Sequence, residues 1–226
     1  MLVNAEFSRR AIVTPDQYRW ASSPQAGVER VMLDRVGDER ARATSIVRYA
    51  AGSRFPRHSH PGGEEILVLS GTFSDASGDY PAGWYLRNPP GSSHQPWSAE
   101  GALILVKLWQ MSPTDRATVR IDTRAPANWS DAQGRQVCEL FESESEHVQL
   151  VRIAGGDPLL PAGLGGAELL VLEGELEFDG RRYGQGSWLR LPAGGDRHGH
   201  AASAGVKVYL KTGHVADPKS LAGTSC

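Results

Sequence analysis

Short apolar stretches alternate with turn residues along most of this chain. Thr44–Tyr49, Glu65–Leu69, Trp84–Leu86, Leu103–Trp109, Val148–Ile153, Glu168–Leu172, Glu175–Phe178, Trp188–Leu191 and Val206–Lys211 are rich in β-branched and aromatic residues, and Gly, Pro, Asn or Asp follows closely. Brief strands at regular spacing, bounded by turn formers, predict a sandwich or barrel. No long helical period interrupts them, and the fold class expected is all-β. Gln133–Phe141 is compatible with a short helix or a strand.

The pattern repeats. An offset of 103 residues lays Gly62–Gly71 over Gly165–Gly174, and the same offset carries Tyr80 to Tyr183, Gly83 to Gly186, Leu86 to Leu189, Arg87 to Arg190, Pro89 to Pro192 and Gly91 to Gly194. About thirty turn-rich residues in register without a gap mark an internal duplication. Upstream, Val47–Ala50 matches Val151–Ala154 after a slip of one residue, and Trp20…Gly27 weakly echoes Trp129…Gly134. The expected organisation is one barrel over residues 1–111, a second over 112–214, and a disordered tail over 215–226.

Composition narrows the function classes. Of 226 residues 40% are hydrophobic, enough to fill such cores, and 24 basic residues face 26 acidic ones. That balance offers no basic patch for nucleic acid and no cationic block for an anionic membrane. The first ten residues lack the apolar core of a signal peptide, and no apolar run is long enough to span a bilayer. Only Cys138 and Cys226 are present. A disulfide framework is thereby excluded, which points to a reducing, cytoplasmic setting, and a metal would need histidine and carboxylate ligands.

Such ligands stand in two spaced motifs, Gly52-x5-His58-x-His60-x3-Glu64-x6-Gly71 and Gly83-x5-Pro89-x-Gly91-x2-His94. Side chains alternate along a strand, so His58 and His60 share a face. The Pro61-Gly62-Gly63 turn lets the chain double back and returns Glu64 to the same interior, while His94 arrives from a separate hairpin. Three imidazoles and a carboxylate suit zinc, iron, nickel, manganese or copper. A single His-x-His pair is usually ordinary surface or core; four ligands in two linked motifs outweigh that reading. The duplication supplies a control. His58, His60, Glu64 and His94 fall on Pro161, Gly163, Ala167 and Arg197, while the turn residues persist. The glycines and prolines therefore serve the backbone, and the four ligands serve something the fold does not need. Glu65 is kept as Glu168 and is expected to be structural. For the other histidines the plain reading is preferred: His198 and His200 as a loop pair, His147 beside a solvated acidic hairpin tip (Glu142–Glu146), and His214 in the tail.

Both motifs resemble those of the cupin superfamily, and the duplication resembles a bicupin. Thr44–Met111 is similar to the cupin domain of ChrR-type anti-sigma factors, through His58-Ser59-His60-Pro61-Gly62-Gly63-Glu64-Glu65, Tyr80-Pro81-Ala82-Gly83 and Leu86–His94. The resemblance implies two tandem double-stranded β-helix (jelly-roll) barrels, a metal inside the first and zinc in regulatory members. The usual Asn ending the second motif is Ser98 here. Those anti-sigma factors also carry an N-terminal helical domain with its own His/Cys zinc site, and the first forty residues here contain neither residue type. Two functions follow. One is a regulatory or sensory module with one divalent metal, zinc favoured, responding to a small-molecule ligand or a reactive oxygen species. The other is a metalloenzyme such as an iron-dependent dioxygenase acting on a diketone or aryl ketone, with Trp84, Tyr85, Arg87, Gln95, Trp97, Lys107 and Trp109 as pocket candidates. Exposed sheet edges are compatible with a homodimer.

Overall fold

The computed structural model describes residues 1–38, 40–160, 166–194 and 199–215. Strands dominate, and among the described residues the helical segments are two single 3-10 turns, Pro15–Gln17 and Pro126–Asn128. Each predicted strand forms, most with longer bounds; Trp188–Leu191 keeps its predicted limits, and Leu103–Trp109 forms as Ala102–Leu108, without Trp109. Glu65–Leu69 lies inside Glu64–Asp75, Glu168–Leu172 and Glu175–Phe178 merge into Ala167–Phe178, and Gln133–Phe141 resolves as the strand Arg135–Glu142. Val28–Val36 also forms a strand, although the sequence pattern does not single it out. Its charged residues interrupt the apolar run, and a bulge between Met32 and Asp34 breaks the alternation that would mark it.

The chain folds as two all-β barrels. In the first, the strands Val28–Val36, Arg42–Tyr49, Ala102–Leu108, Glu64–Asp75, Trp84–Asn88 and Val119–Asp122 pair antiparallel in that order, and Ser92–His94 pairs with His58–His60. In the second, the order Arg135–Glu142, His147–Ile153, Gly199–Thr212, Ala167–Phe178, Trp188–Leu191 and Ala11–Val13 repeats it. The domain limits differ from the sequence expectation. Residues 112–124 belong to the first unit rather than the second, and Glu6–Gln17 belongs to the second rather than the first. Ala11 lies opposite Arg190, and Val119 lies opposite Arg87, the equivalent residue. Each repeat thus contributes an early strand, Ala11–Val13 or Val119–Asp122, to the other repeat's barrel. Sequence order could not reveal this, because strand pairing satisfies backbone hydrogen bonds regardless of which copy provides the strand.

Shared glycines explain the conserved frame. Gly71 and Gly174 both hold positive φ (67° and 73°) where the chain passes a backbone carbonyl. A Cβ on Gly71 would lie 1.9 Å from the Gly101 carbonyl oxygen, and one on Gly174 would lie 2.3 Å from that of Gly205. Only glycine fits such an approach. The weak upstream echo is also physical: the Arg48 guanidinium lies 4.1 Å from the Trp20 ring centre, and Arg152 lies 4.0 Å from that of Trp129.

Both faces of the central strands are buried. In the first barrel Tyr49, Ile66, Val68, Phe73, Leu86, Ile104 and Val106 face inward as one apolar cluster. On the opposite face Glu65, Arg87 and Lys107 are also buried. Arg87 grips Asp115 through Nε and one terminal nitrogen (3.1 and 2.6 Å) and lies 3.6 Å from Glu65, while the Lys107 ammonium donates to Thr44. Glu168, Arg190 and Lys211 repeat this burial in the second barrel.

Candidate metal centre

His58 and His60 lie on one short strand, Glu64 opens the next, and His94 ends the hairpin strand paired against His58. The turn between His60 and Glu64 is set by packing. A Cβ on Gly62 would lie 2.4 Å from the Trp109 ring, and Gly63 takes positive φ (77°) against Met111. One donor atom from each of the four residues lies within 4.8 Å of all the others. His60 Nε2 and His94 Nε2 each stand 3.4 Å from Glu64 Oε2. Two donors bound at about 2.1 Å to one ion with a near-tetrahedral angle stand about 3.4 Å apart.

The nitrogens are aimed as well as gathered. His58 Nδ1 is 3.0 Å from the Pro56 carbonyl oxygen, and His94 Nδ1 is 3.2 Å from Asp75 Oδ2. An acceptor at Nδ1 holds the proton there and leaves Nε2 a free lone pair. His60, Glu64 and His94 are buried, and the Nε2 atoms of His60 and His94 find no hydrogen-bond partner. A buried acceptor left unsatisfied costs about 1–3 kcal/mol. A cation among them would remove that cost, so the residues fit a divalent metal.

Burial lowers the His60 pKa to about 4, helped by the neighbouring His94 and His58 imidazoles and opposed by the Glu64 carboxylate. His60 is therefore already neutral near pH 6, as coordination requires. The unfolded chain takes this proton at about pH 6.5 and the folded chain only near 4. Stability of the metal-free protein should thus fall as pH drops through that window, by about 2 kcal/mol at about pH 5 from this residue. Urea midpoints of the metal-free protein at neutral pH and about pH 5 check this. His60→Asn should show a smaller drop than the wild type.

Sequence reasoning missed the outer layer. Asn88 Nδ2 donates to Glu64 Oε2 (3.0 Å), and Arg120 donates to Asn88 Oδ1 (2.6 Å) and to the Arg87 carbonyl (3.1 Å). Burial raises the Asp75 pKa, but this is outweighed by hydrogen bonds from His94 and the Ser77 N–H and by the charges of His94 and Arg120, so the net shift is downward. The duplication could have exposed this layer. Asp75 corresponds to Phe178, Asn88 to Leu191, and Arg120 to Ile12, which lies opposite Leu189 as Arg120 lies opposite Leu86. Glu64, Asp75 and Asn88 thus give way to Ala167, Phe178 and Leu191 in a continuous apolar core, with Ile12 packed against it. Pro161, Gly163 and Arg197, the other counterparts of the ligands, and His198 lie outside the described residues. Loss of such outer partners typically weakens metal affinity 10–100-fold. Asp75→Asn should do so by about that factor, measured by competition with a chelating dye, with the fold retained by circular dichroism.

Several sequence expectations need correction. None of Trp84, Tyr85, Arg87, Gln95, Trp97, Lys107 and Trp109 lines the cavity beside the ligands, which is formed by Arg30, Arg35, Ser45, Val47, Tyr49, Phe55, His58, Glu64, Ile104 and Val106 among others. Tyr85, Arg87 and Lys107 project from the opposite sheet face, Trp84 packs into the apolar cluster, Gln95 is exposed, Trp97 stacks under Arg54, and Trp109 covers Gly62. His214 is no tail residue, since its Nε2 lies 2.9 Å from the buried Glu168 carboxylate. Val215 is buried too, and residues 216–226 lie outside the described set. The Glu142–Glu146 tip is exposed except for Glu146, which is buried against Lys211 at 2.6 Å. His200 is exposed and 3.9 Å from Glu177. Glu65 does face away from the ligands. Cys138 is free and buried, its thiol pushed up to about 11 by burial, so it stays protonated; Cys226 lies outside the described residues. Among the described residues no helix is long and apolar enough to cross a membrane.

Comparison with known proteins agrees with this architecture. A proposed dioxygenase of Nostoc punctiforme superposes with a TM-score of 0.73 at 14% identity, over 97% of this chain and 88% of that one. YlbA of Escherichia coli gives 0.66 at 16% identity over 92% and 93%. The E. coli pirin YhhW, solved in complex with nickel(II), gives 0.63 at 15% identity over 90% and 98%. At such identities the likeness concerns the fold alone. No curated protein sequence matches the chain. The profile of the ChrR cupin-like domain, however, matches residues 8–112 and again 114–216. The duplication, the barrels and that double match together place this chain in the ChrR cupin-like family, as a bicupin with one copy of the domain in each half.

Proposed function

We propose that the N-terminal barrel is a regulatory or sensory module that holds one divalent metal through His58, His60, Glu64 and His94, with zinc the favoured ion. One observation carries the reading: four buried or half-buried donors converge, and two of their nitrogens have no other partner. The second barrel has apolar side chains where the first has Glu64 and its support. One metal per chain is therefore expected. When bound, the ion supplies a Lewis-acidic centre for a small molecule or a reactive oxygen species. The chain's own part is to fix the imidazole tautomers through Pro56 and Asp75 and the carboxylate through Asn88.

A metalloenzyme, such as an iron-dependent dioxygenase cleaving a diketone or aryl ketone, is the second reading. The cavity that reaches His58 and Glu64 favours it, because a reacting molecule needs space beside the metal. Elemental analysis of the untagged protein separates the two. One zinc per chain supports the module. Iron, with oxygen uptake on a β-diketone or hydroxyaryl ketone, supports the enzyme. Metal-free protein that gains no ion from metal-replete medium overturns both.

A further inference from the structure

The cavity beside the ligands holds about 120 Å³ and carries charge on one wall. Arg30 and Arg35 both line it. They are five residues apart, which in a regular strand would place them on opposite faces. The bulge between Met32 and Asp34 shifts the alternation by one, so both share the inward face with Ala43, Ser45 and Val47. The bulge thus brings a second arginine to the side of the sheet that lines the cavity.

Neither cation is neutralised within the sheet. The strand neighbours of Arg30 are Ala21 and Val47, and it makes no ion pair among the described residues. Glu29, next in sequence, faces the other way and is taken by Arg48 at 2.6 Å. Arg35 donates to the Asp38 carbonyl, while the Asp38 carboxylate is held by the chain's amino terminus. Burial and the nearby Arg30 charge both depress the Arg35 pKa, with Asp38 opposing. Glu64 is the other charged side chain on the wall, and in the reading above its charge is spent on the metal. The rest of the lining is mostly apolar, with Val28, Val47, Phe55, Ile104 and Val106 among it, and includes Ser23, Ser45, Tyr49 and the ligand His58.

The second barrel again provides the control. Val137 stands opposite Val151 as Arg30 stands opposite Val47, and Glu142 opposite His147 as Arg35 opposite Ala43. Val137 is packed into the apolar core, and Glu142 is exposed. The copy without metal ligands has therefore also lost both arginines.

We infer that this cavity takes a small organic carboxylate, its acid group against Arg30 and Arg35 and its apolar body between Val47, Phe55 and Ile104, beside the metal. The inference rests on the metal reading and adds the chemical class of the ligand. The space suits about one ring, since an engineered cavity of about 150 Å³ takes benzene.

Titration calorimetry of the zinc-loaded full-length protein with benzoate and with its neutral isostere benzamide tests this. Benzoate should bind at least about tenfold more tightly than benzamide, as expected when a charge-assisted hydrogen bond is lost. Arg30→Gln should weaken benzoate about tenfold while retaining one zinc per chain; Arg35→Gln is the second variant should the first not fold. Equal affinity for the two probes, or benzoate affinity unchanged in the variant, overturns the inference. If the protein holds one zinc yet takes no benzoate, the carboxylate assignment fails alone. If it retains neither zinc nor any other divalent ion, the metal reading fails and takes the assignment with it.

Discussion

Replacing His60 with alanine should weaken metal binding by on the order of a hundredfold or more while leaving the metal-free barrel about as stable as before. The two halves of that expectation have different causes. A four-ligand site binds a structural zinc with about 10–16 kcal/mol in favourable cases, so losing one buried ligand should weaken affinity by on the order of a hundredfold or more. Without metal, His60 is buried with an unpartnered Nε2 and a depressed pKa. Removing the ring ends that cost, which offsets the packing lost with it. The wild type should therefore gain thermal stability when zinc is added, as any ligand that binds only the folded state produces, and His60→Ala should gain clearly less. Calorimetric scans with and without zinc check both halves. A large drop in the melting temperature of the metal-free variant would instead make His60 a packing residue.

Arg87→Ala should be the most damaging substitution away from the ligands. Arg87 is wholly buried, holds Asp115 through two nitrogens and lies 3.6 Å from the buried Glu65. Truncation leaves two carboxylates in the interior without it. Breaking a buried pair from one side typically costs about 3–5 kcal/mol. The urea midpoint should fall accordingly, while the folded fraction still binds one metal per chain, because Arg87 projects from the sheet face opposite the ligands. A variant that keeps its stability but loses metal would return Arg87 to the site.

The ligand motifs were legible because each depends on local spacing. His58 and His60 share a face by strand alternation, and Gly62-Gly63 permits a turn that only side-chain-free residues can make under Trp109 and Met111. The duplication separated frame from chemistry without any coordinates, since Gly71 and Gly174 recur while Glu64 becomes Ala167. The outer layer was less visible. Asp75, Asn88 and Arg120 are unremarkable in sequence, and their counterparts Phe178, Leu191 and Ile12 acquire meaning once strand register pairs them.

The pocket was misassigned for a related reason. Alternation tells which residues share a face, but in a sheet buried on both sides it does not tell which face surrounds the cavity. Lys107 and Val106 are neighbours, both buried, and only Val106 faces the ligands. The bulge after Met32, which brings Arg35 to the side of Arg30, and the exchange of Ala11–Val13 and Val119–Asp122 between repeats leave no local mark. By itself the chain determined that it is an all-β duplication with one set of clustered donors, because turns and periodicity are properties of neighbours in sequence. Which face closes over the donors, and what else faces them, was decided by tertiary structure, because those choices depend on register between strands far apart in the chain.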